Sequence, residues 1–185
     1  CVYIGFGAES ASAHTLELMQ KKGFILKNGS TQKKINGRMY DFPTTMVDAV
    51  KNCKEANIHG NCTWIMAFPG EELEHLKTSV AFIKYSTAIK SVNSMMFTAT
   101  AYPGTEMWRM VKPKLTEHFG ITYDAKGEPV CDDAFHNYVL ELDDATKVLN
   151  DKDGNPVNFG AMPMKDFLQA REYADNNEIE KILDM

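Results

Sequence analysis

The sequence predicts an α/β protein built on parallel strands, and three observations carry that expectation. The runs "VYIGF" (2–6), "NCTWIMAF" (61–68) and "VNSMMFTAT" (92–100) are nearly continuously apolar, the pattern of strands covered on both faces. Each is followed by a stretch with helical spacing instead of alternation. Each also ends in a short loop: "GAES" (7–10), "FPGEE" (68–72) and "AYPGTE" (101–106).

The elements follow in order. After the first strand a helix is expected over 10–22, capped by Ser10 or Ser12, with Leu16 and Met19 inward and Gly23 as its stop. Residues 23–43 hold two Asn-Gly pairs, 28–29 and 36–37, which signal turns and read as an inserted hairpin or an exposed excursion. A helix over 44–56 puts Met46, Val50 and Cys53 on one face, with Thr44 or Thr45 as cap. The helix over 71–86 carries Leu73, Leu76, Val80 and Ile83 at 3-4-3 spacing. Glu71, Glu72 and Glu74 are expected in its first turn, where the helix dipole favours negative charge. A short helix near 105–112 follows the third strand. Residues 113–185 read as a turn-rich extension that becomes helical over 163–184 and packs on the helical layer or on a partner.

Composition narrows the function classes. The 185 residues are 44% hydrophobic and 24% charged, a globular balance. A formal charge of −5 argues against a broad phosphate-tracking surface, so nucleic acid is not expected as the main partner. The longest apolar run, "WIMAF" (64–68), is far short of the ~20 residues of a membrane span. Residues 1–30 lack the basic region and cleavage site of a signal peptide. Cys1, Cys53, Cys62 and Cys131 form no C-x-x-C pair, which suits a reduced, cytoplasmic setting with structural thiols.

Ligands of parallel α/β folds gather at the carboxyl ends of the strands. Glu9 is the sole ionisable group of the first such loop. Its residue type fits two roles equally: a ligand hydrogen bond, or neutralisation of a neighbouring helix N-terminus. Other motifs fail. "DKDGNPVNFG" (151–160) would put Leu149 and Gly160 at the first and last ligand positions of a calcium loop, so a β-turn is the reading. The five histidines have no metal spacing, and His75 reads as a solvated helix residue. The eleven methionines read as core filling. "GAESAS" lacks the central serine of a nucleophile elbow.

The three loops in order, within "YIGFGAESAS", "NCTWIMAFPGEELEHL" and "FTATAYPGTEMW", resemble the second half of a radical S-adenosylmethionine barrel. The likeness is to the cobalamin-associated and methylthiotransferase-like branches and spans residues 1 to about 112. In that family the fourth strand ends in Gly-x-Glu-Ser, the fifth in Gly-Leu-Pro-Gly-Glu-Thr and the sixth in Pro-Gly-Thr. The resemblance implies that Glu9 and Ser10 face the ribose or aminocarboxylate part of S-adenosylmethionine. It implies that Ile65, Ala67, Phe68 and Gly70 run beside the adenine, and that Tyr102, Pro103, Gly104 and Thr105 form the neighbouring wall. Ala67 stands where the family usually has glycine, and Glu72 where it usually has threonine.

The family's chemistry needs a C-x-x-x-C-x-x-C loop whose thiolates hold a [4Fe–4S] cluster. No such spacing occurs here. The expectation is therefore a carboxyl-terminal piece of a longer enzyme: residues 1–112 as about three β/α units of a partial barrel, with 113–185 appended. Its parent would use S-adenosylmethionine, a [4Fe–4S] cluster and, in one branch, cobalamin, for methylation, methylthiolation or oxidative cyclisation. The piece alone is expected to be inactive, and to form a homodimer through exposed barrel edges or cover its edge strand with the extension. The alternative is a small α/β module that binds a ligand or a protein without catalysis.

Overall fold

A computed structural model describes residues 1–89 and 92–185. In chain order the elements are β1 (Tyr3–Glu9), α1 (Ala13–Leu18), α2 (Lys22–Ile25), β2 (Ser30–Ile35), β3 (Arg38–Pro43), α3 (Thr44–Glu55) and β4 (His59–Met66). Then come α4 (Leu73–Ala88), β5 (Val92–Thr98), α5 (Glu106–Met110), α6 (Lys112–Phe119), α7 (Asp133–Leu140) and α8 (Met164–Asp175), with a 3₁₀ segment at Ile179–Asp184.

The fold is mixed α/β, as its three apolar runs predict. β1, β4 and β5 form a parallel sheet in the order β1-β4-β5, and helices flank it. Phe6 lies opposite Cys62, and Trp64 opposite Met96. The sheet is open, not a closed barrel. Alternation along the strands sends Ala8, Cys62, Trp64, Met66, Val92 and Met96 to one face, where all are buried. Val50 of α3 and Leu76, Val80 and Ile83 of α4 belong to the same core, as their helical spacing predicts, whereas Val47 takes the place expected for Met46, which is half-buried against it. Burying each such side chain contributes about 1.5–3 kcal/mol relative to leaving it in water.

The opposite face is only partly covered. Gly5, Gly7, Asn93 and Met95 are exposed there, with Asn61, Thr63 and Ile65 half-buried. Parallel sheets are ordinarily covered on both sides, so this face is the fold's main departure from rule.

Residues 23–43 are not an exposed excursion. The Asn36-Gly37 pair supplies the two positive-φ residues (48° and 83°) of a tight turn, and β2 and β3 pair antiparallel on either side. Tyr40 and Phe42 then enter the core, where Phe42 meets Phe82 edge-on at 5.1 Å. The helix expected over 10–22 is broken in two. Ser12 caps α1 as predicted, but Gln20 takes φ 57° and ends the first piece, so Gly23 falls inside α2 and stops nothing. Neither Thr44 nor Thr45 caps α3. Pro43 holds that position, and Thr44 Oγ1 pairs with Thr31 Oγ1 at 2.9 Å.

In the extension, Asp124-x-x-Gly127-x-Pro129-Val130 and Asp151-x-x-Gly154-x-Pro156-Val157 fold alike. Each Asp Oδ1 accepts from the backbone N–H groups two and four residues on, at 2.8–2.9 Å. Both turns flank a second core around Trp108, Tyr138, Leu115 and Ile121. Helix is found over part of 163–184, where Asn177 (φ 57°) separates α8 from the 3₁₀ segment.

The extension also reaches the outer edge of β5. Thr98 N–H donates to the Ala145 carbonyl at 2.8 Å, and Arg171 Nη1 donates to the Met96 carbonyl at 2.8 Å. β1 pairs with β4 alone among the described residues. No helix of the described residues is long and apolar enough to cross a membrane.

Candidate functional site

Parallel pairing brings the carboxyl ends of β1 and β4 together, and a slot of about 260 Å³ opens there. Each predicted loop contributes to it. Glu9 comes from the first, Ile65 and Phe68 flank the second, and Glu106, Met107 and Met110 follow the third. Leu18, Met19, Gln20 and Lys21, at the end of α1, close the remaining side.

Glu9 sits where the β1–β4 register slips, with φ 62°. Its carboxylate folds back over Gly7, where a Cβ would lie 2.7 Å from Oε1 and would push the carboxylate aside. Lys21 Nζ donates to Glu9 Oε1 at 2.7 Å, and the glutamate side chain keeps 18% exposure. Glu9 is thus held by a lysine, not by a helix N-terminus. Glu106 is paired at the rim with Arg109 at 3.0 Å.

The other predicted residues lie elsewhere. Ser10 is fully buried, its Oγ 3.0 Å from Ser79 Oγ of α4, so it faces the helix layer. Ala67 is buried at φ 64°, a backbone conformation in which glycine is at ease. Gly70 is exposed and backed by Leu18. Tyr102, Pro103, Gly104 and Thr105 form the turn ahead of α5. Thr105 Oγ1 accepts from Trp108 N–H at 3.2 Å and donates to the Tyr102 carbonyl at 2.7 Å, a capping role. These four residues position Glu106 and Met107 without lining the slot themselves.

Two further corrections concern the second loop. Glu71 is not in the first turn of α4, which begins at Leu73 with Glu72 as N-cap. It is fully buried, and Ala67 N–H donates to its Oε2 at 2.8 Å. Burial pushes its carboxyl up to about 8, against the pull of hydrogen bonds from Ala67, Phe68 and Thr15. His75 is not a solvated helix residue either. Its Nδ1 accepts from the Glu72 N–H at 3.1 Å, and its ring stacks on His14 at 4.4 Å. Burial and then the His14 charge hold its imidazolium below the usual range.

Sequence reasoning missed Lys21, Glu106, the three methionines and Glu71. The last was hidden by its neighbours, since "GEELE" reads as a solvated first turn. Among the described residues no three His, Cys, Asp or Glu side chains stand together as a metal group. Cys53 and Cys62 are buried, and burial, aided by Cys53, pushes the Cys62 thiol up to about 11. The slot's lining holds carboxylates, an ammonium and thioethers, with no nucleophile and no imidazole. Such a lining suits a partly apolar ligand that also carries charge. Fold and slot together define an α/β protein with a ligand-sized site at its strand ends. No family model, curated protein or solved structure matches the chain.

Proposed function

We propose that residues 1–112 are the second half of a radical S-adenosylmethionine barrel and that the slot holds part of that cofactor. The observation that carries this reading is convergence: all three strand-end loops of the resemblance reach one slot, through Glu9, through Ile65 and Phe68, and through Glu106 and Met107. The partly covered face of the parallel sheet supports it, because in a barrel that face turns inward and is covered by the remaining strands.

In this reading the Glu9 carboxylate accepts hydrogen bonds from the polar end of the cofactor, with Lys21 fixing its orientation. Phe68 and Ile65 give a flat apolar wall, and Met107 and Met110 exclude water. The cofactor supplies the radical chemistry when bound to a cluster, and this chain's share is binding and orientation. The described residues offer no set of cluster ligands, so the cluster would be held by residues outside them.

The test is ligand-observed NMR with S-adenosylmethionine on this chain. Half a mouth should bind weakly, with Kd on the order of 1 mM, and Glu9→Gln and Phe68→Ala should each abolish saturation transfer. No transfer, or equal transfer from both variants, sinks the proposal. A longer gene product lacking a three-cysteine cluster loop ahead of these residues sinks it independently.

A further inference from the structure

Glu71 sits beneath the slot at the junction of three segments. Its Oε2 accepts from Ala67 N–H at 2.8 Å, at the end of β4 and beside Phe68. Thr15 Oγ1 of α1 lies 3.5 Å from Oε1, one turn before Leu18 and Met19 of the slot's wall. Its main-chain carbonyl accepts from Ala161 and Met162 N–H at 2.9 and 3.2 Å. Gly160 presses so closely there that a Cβ would stand 2.9 Å from Ala67 Cα.

We propose that Glu71 is a proton-controlled positioning residue: neutral, its side chain ties β4's end to α1 beneath the slot, next to the 160–162 strap that its main chain holds, and loss of its proton loosens that junction. The side chain has no exposure, and among the described residues no cation is paired with it. Its chain neighbour Glu72, His14 and Glu17 of α1, Glu74, His75, Lys77, Lys84 and Tyr85 of α4, and His59 and Cys62 of β4 are the charged or titratable groups on the elements packed around it. None contributes to its shift, and segment 158–162 carries none. A carboxylate formed there keeps only the Ala67, Phe68 and Thr15 hydrogen bonds and must draw in water or a cation. Both require α1 or the 160–162 strap to move. Burial places the titration at about 8. Burial holds the His75 imidazole below the ordinary histidine range, on the other side of that range from the Glu71 carboxyl.

The pocket provides its own reporters, Met19, Met107 and Met110. In the ligand-free chain labelled at methionine methyls, the Met19 signal should shift in one step with a midpoint within about a unit of 8 as pH rises from ~6 to ~10. Met95, on the partly covered face, is the internal reference. Glu71→Gln keeps an acceptor for Ala67 N–H and cannot ionise, so it should remove the step and hold Met19 at its low-pH position. Thr15→Val removes a hydrogen bond that favours the ionised form and should move the midpoint up. No step in the wild type, an unchanged step in Glu71→Gln, or an unmoved midpoint in Thr15→Val would overturn the proposal. No cofactor is used, so the outcome is independent of whether the slot takes S-adenosylmethionine.

Discussion

On the face turned to α3 and α4, β4 sets Cys62, Trp64 and Met66, all buried, while one residue along it sets Asn61, Thr63 and Ile65 on the other face, half-covered. β5 repeats the contrast with Met96 buried and Met95 at 51% exposure. One strand, with a period of two, therefore supports a closed core and a surface built from glycine, amide and thioether groups. The difference teaches that the same strands carry the closed core on one face and an open, partly covered surface on the other. Glu71 is one exception, a carboxyl buried at the end of the closed side.

The largest expected effect tests that exception. In the unfolded chain Glu71 ionises near 4.5, and in the folded chain only near 8. Between those values the unfolded state loses its proton first, so stability is fullest at or below pH ~4.5 and falls until pH ~8, by at most about 5 kcal/mol. Urea unfolding at pH ~5 and ~9 should show that fall, and Glu71→Gln should remove most of it. Equal pH dependence in the two proteins would mean that the carboxyl is not held neutral. Next, Trp64→Ala should cost about 3–5 kcal/mol, because Trp64 is fully buried and packs on Phe82. Gly160→Ala should cost about 1–3 kcal/mol, since its new Cβ meets backbone, not a side chain that can turn aside. The smallest change is on the partly covered face: Met95→Ala should stay within about 0.5 kcal/mol in this chain. A cost as large as that of Trp64→Ala would mean that this face is covered in solution, and sedimentation would show by what.

Much of the frame was legible because it rests on periodicity. The runs around Trp64 and Met96, the 3-4-3 stripe of Leu76, Val80 and Ile83, and the Asn36-Gly37 turn each state their structure locally. The break after α1 was not legible, because Gln20 adopts a left-handed backbone that nothing in its side chain announces. The site was half legible. Glu9 follows from the rule that strand ends carry ligands, and Ile65 and Phe68 from the resemblance alone, whereas Lys21 and Met110 arrive by tertiary packing. Ser10 was misplaced because capping and ligand binding ask for the same hydroxyl, and here Ser79 takes it. Glu71 could not be read at all, since its role is set by what buries it: Thr15 lies far upstream and residues 160–162 far downstream.

The hairpin between β1 and β4 has a consequence for the order of events when the chain folds. β2 and β3 pair across a two-residue turn, a local step of about 1–10 μs. β1 and β4 pair Tyr3 with His59, and that contact must wait for a long loop to close. With Ser30 and Pro43 already side by side, the stretch between the strands is effectively shorter, and the rest of the search is correspondingly quicker. The hairpin thus acts as a clasp that forms early, delivers Phe42 to α4, and gives the parallel strands a platform on which to meet.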